Sequence, residues 1–121
     1  MADTARVGVV VPNLFLRWPV ETAIRATGAQ PVVVATLAEA ANAGCSVLVV
    51  DLDAVGAEAA RVLGALAGAE ITVLAFGAQV ERERLAAARA AGAVALPRAA
   101  FLARLPELLA AAIRPSASAT D

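Results

Sequence analysis

Histidine and lysine are both absent from the 121 residues, and cysteine occurs once. Without imidazole the chain cannot run Ser-His or Cys-His catalysis, nor ligate a metal through histidine. A single cysteine excludes an intramolecular disulfide framework and any multi-cysteine metal site. Cys45 precedes a strand-like run, where a small, buried, inert thiol is the expectation. Aromatics make up only 3% of a chain that is 60% hydrophobic, because alanine supplies much of the apolar count. Neither sign of charge dominates: ten arginines face eleven acidic residues, for a net charge of −1 and a pI near 5.4. No global field steers such a chain onto nucleic acid or an anionic membrane, so neither is an expected partner. Charge or proline interrupts every apolar run before the roughly 20 residues that a membrane span needs. Asp3 and Arg6 break up any basic-then-apolar leader, which makes a soluble, cytoplasmic protein the expectation.

What is present is organised around Ser46-Val47-Leu48-Val49-Val50-Asp51-Leu52-Asp53. An apolar run without alternation suits a strand covered on both faces, the central strand of a parallel sheet. In open α/β sheets the chemistry lies beyond the carboxyl ends of the strands, which is where Asp51 falls.

Taken in order, residues 1–5 read as a disordered lead-in and 7–11 as a β-branched first strand, ended by Pro12-Asn13. Leu16, Val20, Ala23, Ile24 and Thr27 share one helical face, with Pro19 expected within about the first turn and Gly28 as the closing glycine. Residues 31–36 form a second strand, whose leading Pro31 suits a sheet edge. A short helix over 37–43 closes at Gly44. After the central strand come a helix over about 55–67, a strand over 71–76 stopping at Gly77, and an Arg/Glu-rich helix over 79–91 running to Gly92. A brief strand over 93–96 ends at Pro97-Arg98. Residues 99–104 look helical, and Pro106 should kink or restart a helix that continues to about 113. The small, polar segment 115–121 has nothing to bury and is expected to be disordered. One domain over 6–114 accounts for the chain. Five strands alternating with five helices predict a flavodoxin-like three-layer α/β sandwich with a parallel sheet of order 2-1-3-4-5.

Pro12-Asn13, Asp51, Gly77 and Arg98 should converge at the carboxyl edge of that sheet. With Ala90-Ala91-Gly92-Ala93 before the last strand and Phe101 after Arg98, the pattern resembles the response-regulator receiver domain. That family supplies the phospho-aspartate module of bacterial two-component phosphorelay signalling. The resemblance covers nearly all of residues 6–113 and implies Asp51 as candidate phosphoacceptor. It also implies an acidic pair after the first strand to hold Mg²⁺, a hydroxyl after the fourth strand and a lysine after the fifth to hold phosphoryl oxygens. Here Pro12-Asn13 or, with a one-residue shift, Val11-Pro12 stands in place of the acids, Gly77 or Ala78 in place of the hydroxyl, and Arg98 in place of the lysine. Asp53 lies where the family uses a backbone carbonyl, so the resemblance gives its carboxylate no metal role. The implied reading is a pseudo-receiver with no cofactor, Mg²⁺ being disfavoured, and no enzymatic activity beyond any residual autophosphorylation of Asp51.

One reading pairs Arg98 bidentately with Asp51, lowering its pKa and imitating the link made by a phosphoryl group. The alternative leaves Arg98 to solvent and Asp51 merely ending a strand. Gly77 is either a turn glycine or a donor of a backbone N–H to an anion. Phe15 and Trp18 either pack against the first crossover or line a small pocket. The run Glu81-Arg82-Glu83-Arg84 is a solvated helix face, or part of a partner surface. The leading expectation is a protein that signals through protein contacts or a homodimer over the face of residues 79–113. The competing ones are a working single-domain regulator phosphorylated on Asp51, and a small-ligand-binding module. The last would be unconventional, because no G-x-G-x-x-G loop follows the first strand and no Walker-type lysine exists.

Overall fold

The computed structural model describes residues 5–36, 39, 44–55, 71–78 and 80–113. In chain order they form β1 (Arg6–Val10), α1 (Leu14–Ala26), β2 (Gln30–Val33), β3 (Val47–Asp51), α2 (Leu52–Val55), β4 (Thr72–Gly77), α3 (Arg82–Ala90), β5 (Val94–Pro97) and α4 (Arg98–Ile113). All four strand pairings are parallel and the order is β2-β1-β3-β4-β5, as the pattern predicts.

Every residue of β3 is buried, and its side chains alternate between two cores. Val47 and Val49 join Val7, Val9 and Phe76 beneath α1 and α4, against Val20, Ile24, Phe101 and Leu105. Leu48 and Val50 join Val73, Ala75 and Ala95 on the other face, against Leu85 and Ala88 of α3. Each such fully buried aliphatic side chain contributes about 1.5–3 kcal/mol, so β3 carries the sheet from both sides. Phe76 and Phe101 meet with ring centroids 5.0 Å apart, which pins the start of α4 to β4. The tip of the Leu48 side chain lies over β1, so a Cβ on Gly8 would sit 2.8 Å from Leu48 Cδ1. Gly28 and Gly92 follow α1 and α3 at φ of 90° and 106°, a backbone region that glycine enters freely.

Several expectations shift. β2 stops at Val33, three residues short, and β4 and β5 each begin and end one residue later than expected. Asn13 starts α1 by accepting the Phe15 N–H at 2.9 Å, so Pro19 is the sixth helical residue rather than a first-turn one. The proline leaves the Phe15 carbonyl without its intrahelical donor, at an exposed helix start where water can serve it. α4 runs unbroken through Pro106 instead of restarting there. Its inner face of Phe101, Leu105 and Leu109 is buried on both sides of the proline, and that packing holds the helix together. Phe15 and Trp18 do not pack against the crossover. They are 90% and 69% exposed, because a 3.6-residue period turns them away from Val20 and Ile24. α2 begins at Leu52, directly after β3, while the remainder of the helix expected to 67 lies outside the described residues. So do the helix expected over 37–43, Glu39 excepted, the lead-in 1–4 and the tail 115–121.

Candidate functional site

The five strands bring their carboxyl ends to one edge. β3 terminates there at Asp51, which is 5% exposed and the only buried charged residue among those described. The chain turns at once into α2, and Asp51 acts as its N-cap, with Oδ1 accepting the Asp53 N–H at 3.0 Å. Burial is the main influence on this carboxyl and raises its pKa. The Asp53 N–H lowers it, the neighbouring Asp53 charge raises it, and Arg98 and the Ala54 N–H lower it, without offsetting the loss of water.

Asp53, not Asp51, is the electrostatic hub. Its Oδ2 accepts the Ala78 N–H at 3.0 Å and a guanidinium N–H of Arg98 at 3.2 Å. Its Oδ1 accepts from Arg84 at 2.9 Å. Arg84 also reaches Glu81 at 3.5 Å. One carboxylate thus joins the β3–α2 junction to the residue after β4, to α3, and to the first residue of α4. The expected Arg98–Asp51 pair, with its lowered pKa, is corrected here. Asp51 is turned in to cap α2, whereas the helical turn that follows presents Asp53 to the arginines. The Nε of Arg98 is buried with no hydrogen-bond partner among the described residues.

The remaining expected site residues divide. Gly77 is buried beside Asp53, and a Cβ there would sit 3.5 Å from Asp53 Oδ1, so Gly77 does belong to the cluster. The anion-facing N–H, however, is that of Ala78. Asn13 is exposed and commits its side-chain oxygen to the start of α1. Arg84 is the member that sequence reasoning placed on a solvated face. Its position one helical turn after Glu81 carried no sign of a partner beyond its own helix. The available signal for Asp53 was its place in the first turn after an Asp N-cap, where a helix presents a carboxylate just beyond the sheet edge.

These residues do not fit a Mg²⁺ ion. Asp51 is spent as a cap, Asn13 has no charge to offer, and Asp53 is neutralised by two guanidinium groups. Among the described residues no three Asp, Glu, Cys or His side chains gather into a metal-holding group. A shallow groove of about 510 Å³ lies to the other side of β1, lined by Val11, Pro12, Arg17, Val33, Val34 and Glu39.

No family model and no curated protein matches the chain. Solved structures do. A response regulator from Hahella chejuensis superposes with a TM-score of 0.73 at 17% identity, over 92% of this chain and 96% of its own. A response regulator from Thermotoga maritima gives 0.68 at 18%, over 89% and 99%. An orphan response regulator of H. pylori gives 0.64 at 19%, over 87% and 96%. The class is therefore fixed by its backbone: this chain has the CheY-like receiver-domain fold, a five-stranded flavodoxin-like α/β sandwich.

Proposed function

We propose that the chain is a receiver-like signalling protein that acts through protein contacts and needs no phosphorylation. One observation carries this reading. Arg98, the cation at the end of β5, and the first N–H after β4 are both already engaged by an internal carboxylate, Asp53. An incoming phosphoryl group on Asp51 would meet donors that are occupied and a carboxyl whose nucleophilic, ionised form is disfavoured by burial. The surface offered to a protein partner or a second copy is that of residues 79–113. Within it Val80, just before the charged first turn of α3, is 84% exposed, and Val94, at the start of β5, is 40% exposed. No described helix is long and apolar enough to cross a membrane, and a net charge of −1 supplies no overall attraction to nucleic acid.

The test is Mg²⁺ with beryllofluoride, read by backbone amide shifts at Ala78 and by the fluorescence of Trp18, the one tryptophan. No saturable change is expected. A response that Asp51→Asn abolishes would instead establish a working regulator.

A second reading, small-ligand binding, is favoured by the groove beside β1. Its volume falls within the roughly 300–1,000 Å³ of small-molecule sites, its walls are aliphatic, and it holds Arg17 and Glu39. The Glu39 carboxylate is partly committed, since it accepts the Ala35 N–H at 2.8 Å. A metabolite screen by thermal shift decides this, with Arg17→Ala as the control that must remove any hit.

A further inference from the structure

The donors around Asp53 form a set that proteins use to hold oxyanions: two guanidinium groups and a backbone N–H, directed at two oxygens of one group. Here the chain supplies the anion itself. Asp53 is tied to positions 25, 31 and 45 residues further along. Those three positions belong to three separate junctions, the exit of β4, the first turn of α3 and the first residue of α4. The same junctions border the surface of residues 79–113. Among the described residues the one hydrogen bond that Arg98 makes is to Asp53, while its Nε is buried unsatisfied, so the Asp53 contact is what holds its inward pose beyond a through-space attraction to Asp51.

We infer that the Asp53 carboxylate is a built-in substitute for an external oxyanion. It holds the β4, α3 and α4 junctions in one permanent arrangement, and without it the pocket would accept a free oxyanion. The consequence for signalling, a constitutively presented surface, rests on the proposed function. The latch itself rests on the distances around Asp53.

The experiment uses the full chain carrying Asp53→Ala, compared with the parent, in buffer containing only chloride and then with inorganic phosphate or acetate at matched ionic strength. In chloride the variant should melt below the parent, and exchange of the Ala78 amide should accelerate by roughly tenfold, the factor that one charge-assisted hydrogen bond supports. Phosphate or acetate should restore both in a saturable manner, the parent should not respond, and Asp53→Ala combined with Arg98→Ala should lose the rescue. Should Asp53→Ala fail to fold, Asp53→Asn decides the matter. It keeps an acceptor for Ala78 but no charge, so the Ala78 amide should stay protected while the Arg84 and Arg98 side-chain N–H groups exchange freely. The inference is overturned by parent-like melting and Ala78 exchange in the alanine variant, by an oxyanion effect no larger than that of chloride, or by rescue that survives loss of Arg98. It is equally overturned if the arginine N–H groups of Asp53→Asn stay as protected as in the parent. Beryllofluoride binding at Asp51 would refute phosphorylation independence without touching this result, and failure here would leave the Asp51 experiment standing.

Discussion

Gly77→Ala places a methyl group at one of the two positions, with Ala78, where the receiver resemblance implies a hydroxyl. The new Cβ would have Asp53 Oδ1 at 3.5 Å, Leu52 Cβ at 3.6 Å and Leu85 Cδ2 at 3.6 Å as its nearest neighbours, all ordinary van der Waals separations. Gly77 is also not among the glycines with positive φ, so the native backbone accepts a side chain there. Two gains follow. The unfolded chain loses freedom, worth about 0.4–1 kcal/mol, and a methyl is buried, worth up to about 0.8 kcal/mol. Allowing for crowding of the Asp53 oxygen, the net stabilisation should be about 0.5–1.5 kcal/mol, a rise in Tm of about 2–8 °C. Thermal and urea midpoints measure it, with an unchanged urea slope showing that the unfolded state is comparable. A loss of stability at unchanged slope would mean that the end of β4 requires glycine, and the argument from Cβ geometry would fail. Gly77→Thr carries the argument to function. It restores a hydroxyl within reach of Asp53, yet beryllofluoride should still have no effect, because Arg98 and the Ala78 N–H remain engaged. A gain of response would show that the hydroxyl alone was limiting.

Gly8→Ala should do the opposite of Gly77→Ala. Its Cβ would press on Leu48 Cδ1 at 2.8 Å and Cys45 Sγ at 3.3 Å, and Leu48 is fully buried between β1 and α3. Overpacking of this kind costs about 1–3 kcal/mol, so the urea midpoint should fall, and a neutral result would refute the tight packing of Leu48 over Gly8. Asp51→Asn should remove a pH dependence. Burial raises the folded pKa of Asp51, so its contribution is fully present below the ordinary carboxylate value and is lost as pH rises through the folded one. The asparagine variant, which cannot ionise, should therefore be the more stable protein at neutral pH. Its advantage should disappear as pH falls below about 4, and a gap that widens on acidification would contradict the assignment.

The strand order was legible because β1, β2 and β3 are β-branched runs, β4 and β5 short apolar ones, and the crossovers between them carry glycine or proline boundaries. Val47 to Val50, apolar without alternation, predicted burial on both faces and shows it. The pairing at the sheet edge was not legible. Arg98 was expected at the same edge as Asp51, but finding that its partner is Asp53 required knowing that α2 starts at Leu52 with no intervening loop. Once it does, Asp51 must face inward to cap, and Asp53 faces outward to the arginines. Nor could Arg84 be assigned, since its partner lies 31 residues away and only the crossover brings them together. Trp18 and Phe15 misled for a different reason. Hydrophobic type argues for burial, but their phase on α1 argues against it, and phase prevails because Val20 and Ile24 already fill the inner face.

No single ion pair here is strong. Arg84, Arg98 and Asp53 have side chains 33%, 43% and 26% exposed, and isolated pairs at such positions contribute little. Their importance comes from sharing one acceptor. Once Ala78 and Arg84 have ordered the Asp53 carboxylate, Arg98 binds a group that has already lost its rotational freedom. The same sharing defines what the edge of the sheet can recognise. A divalent cation entering near Asp51 would find the next carboxylate neutralised by two guanidinium groups and would be repelled by both. An anion would find the right donors but no vacancy. Arg84, Arg98 and the Ala78 N–H together make a place suited to an oxyanion, and the Asp53 carboxylate occupies it.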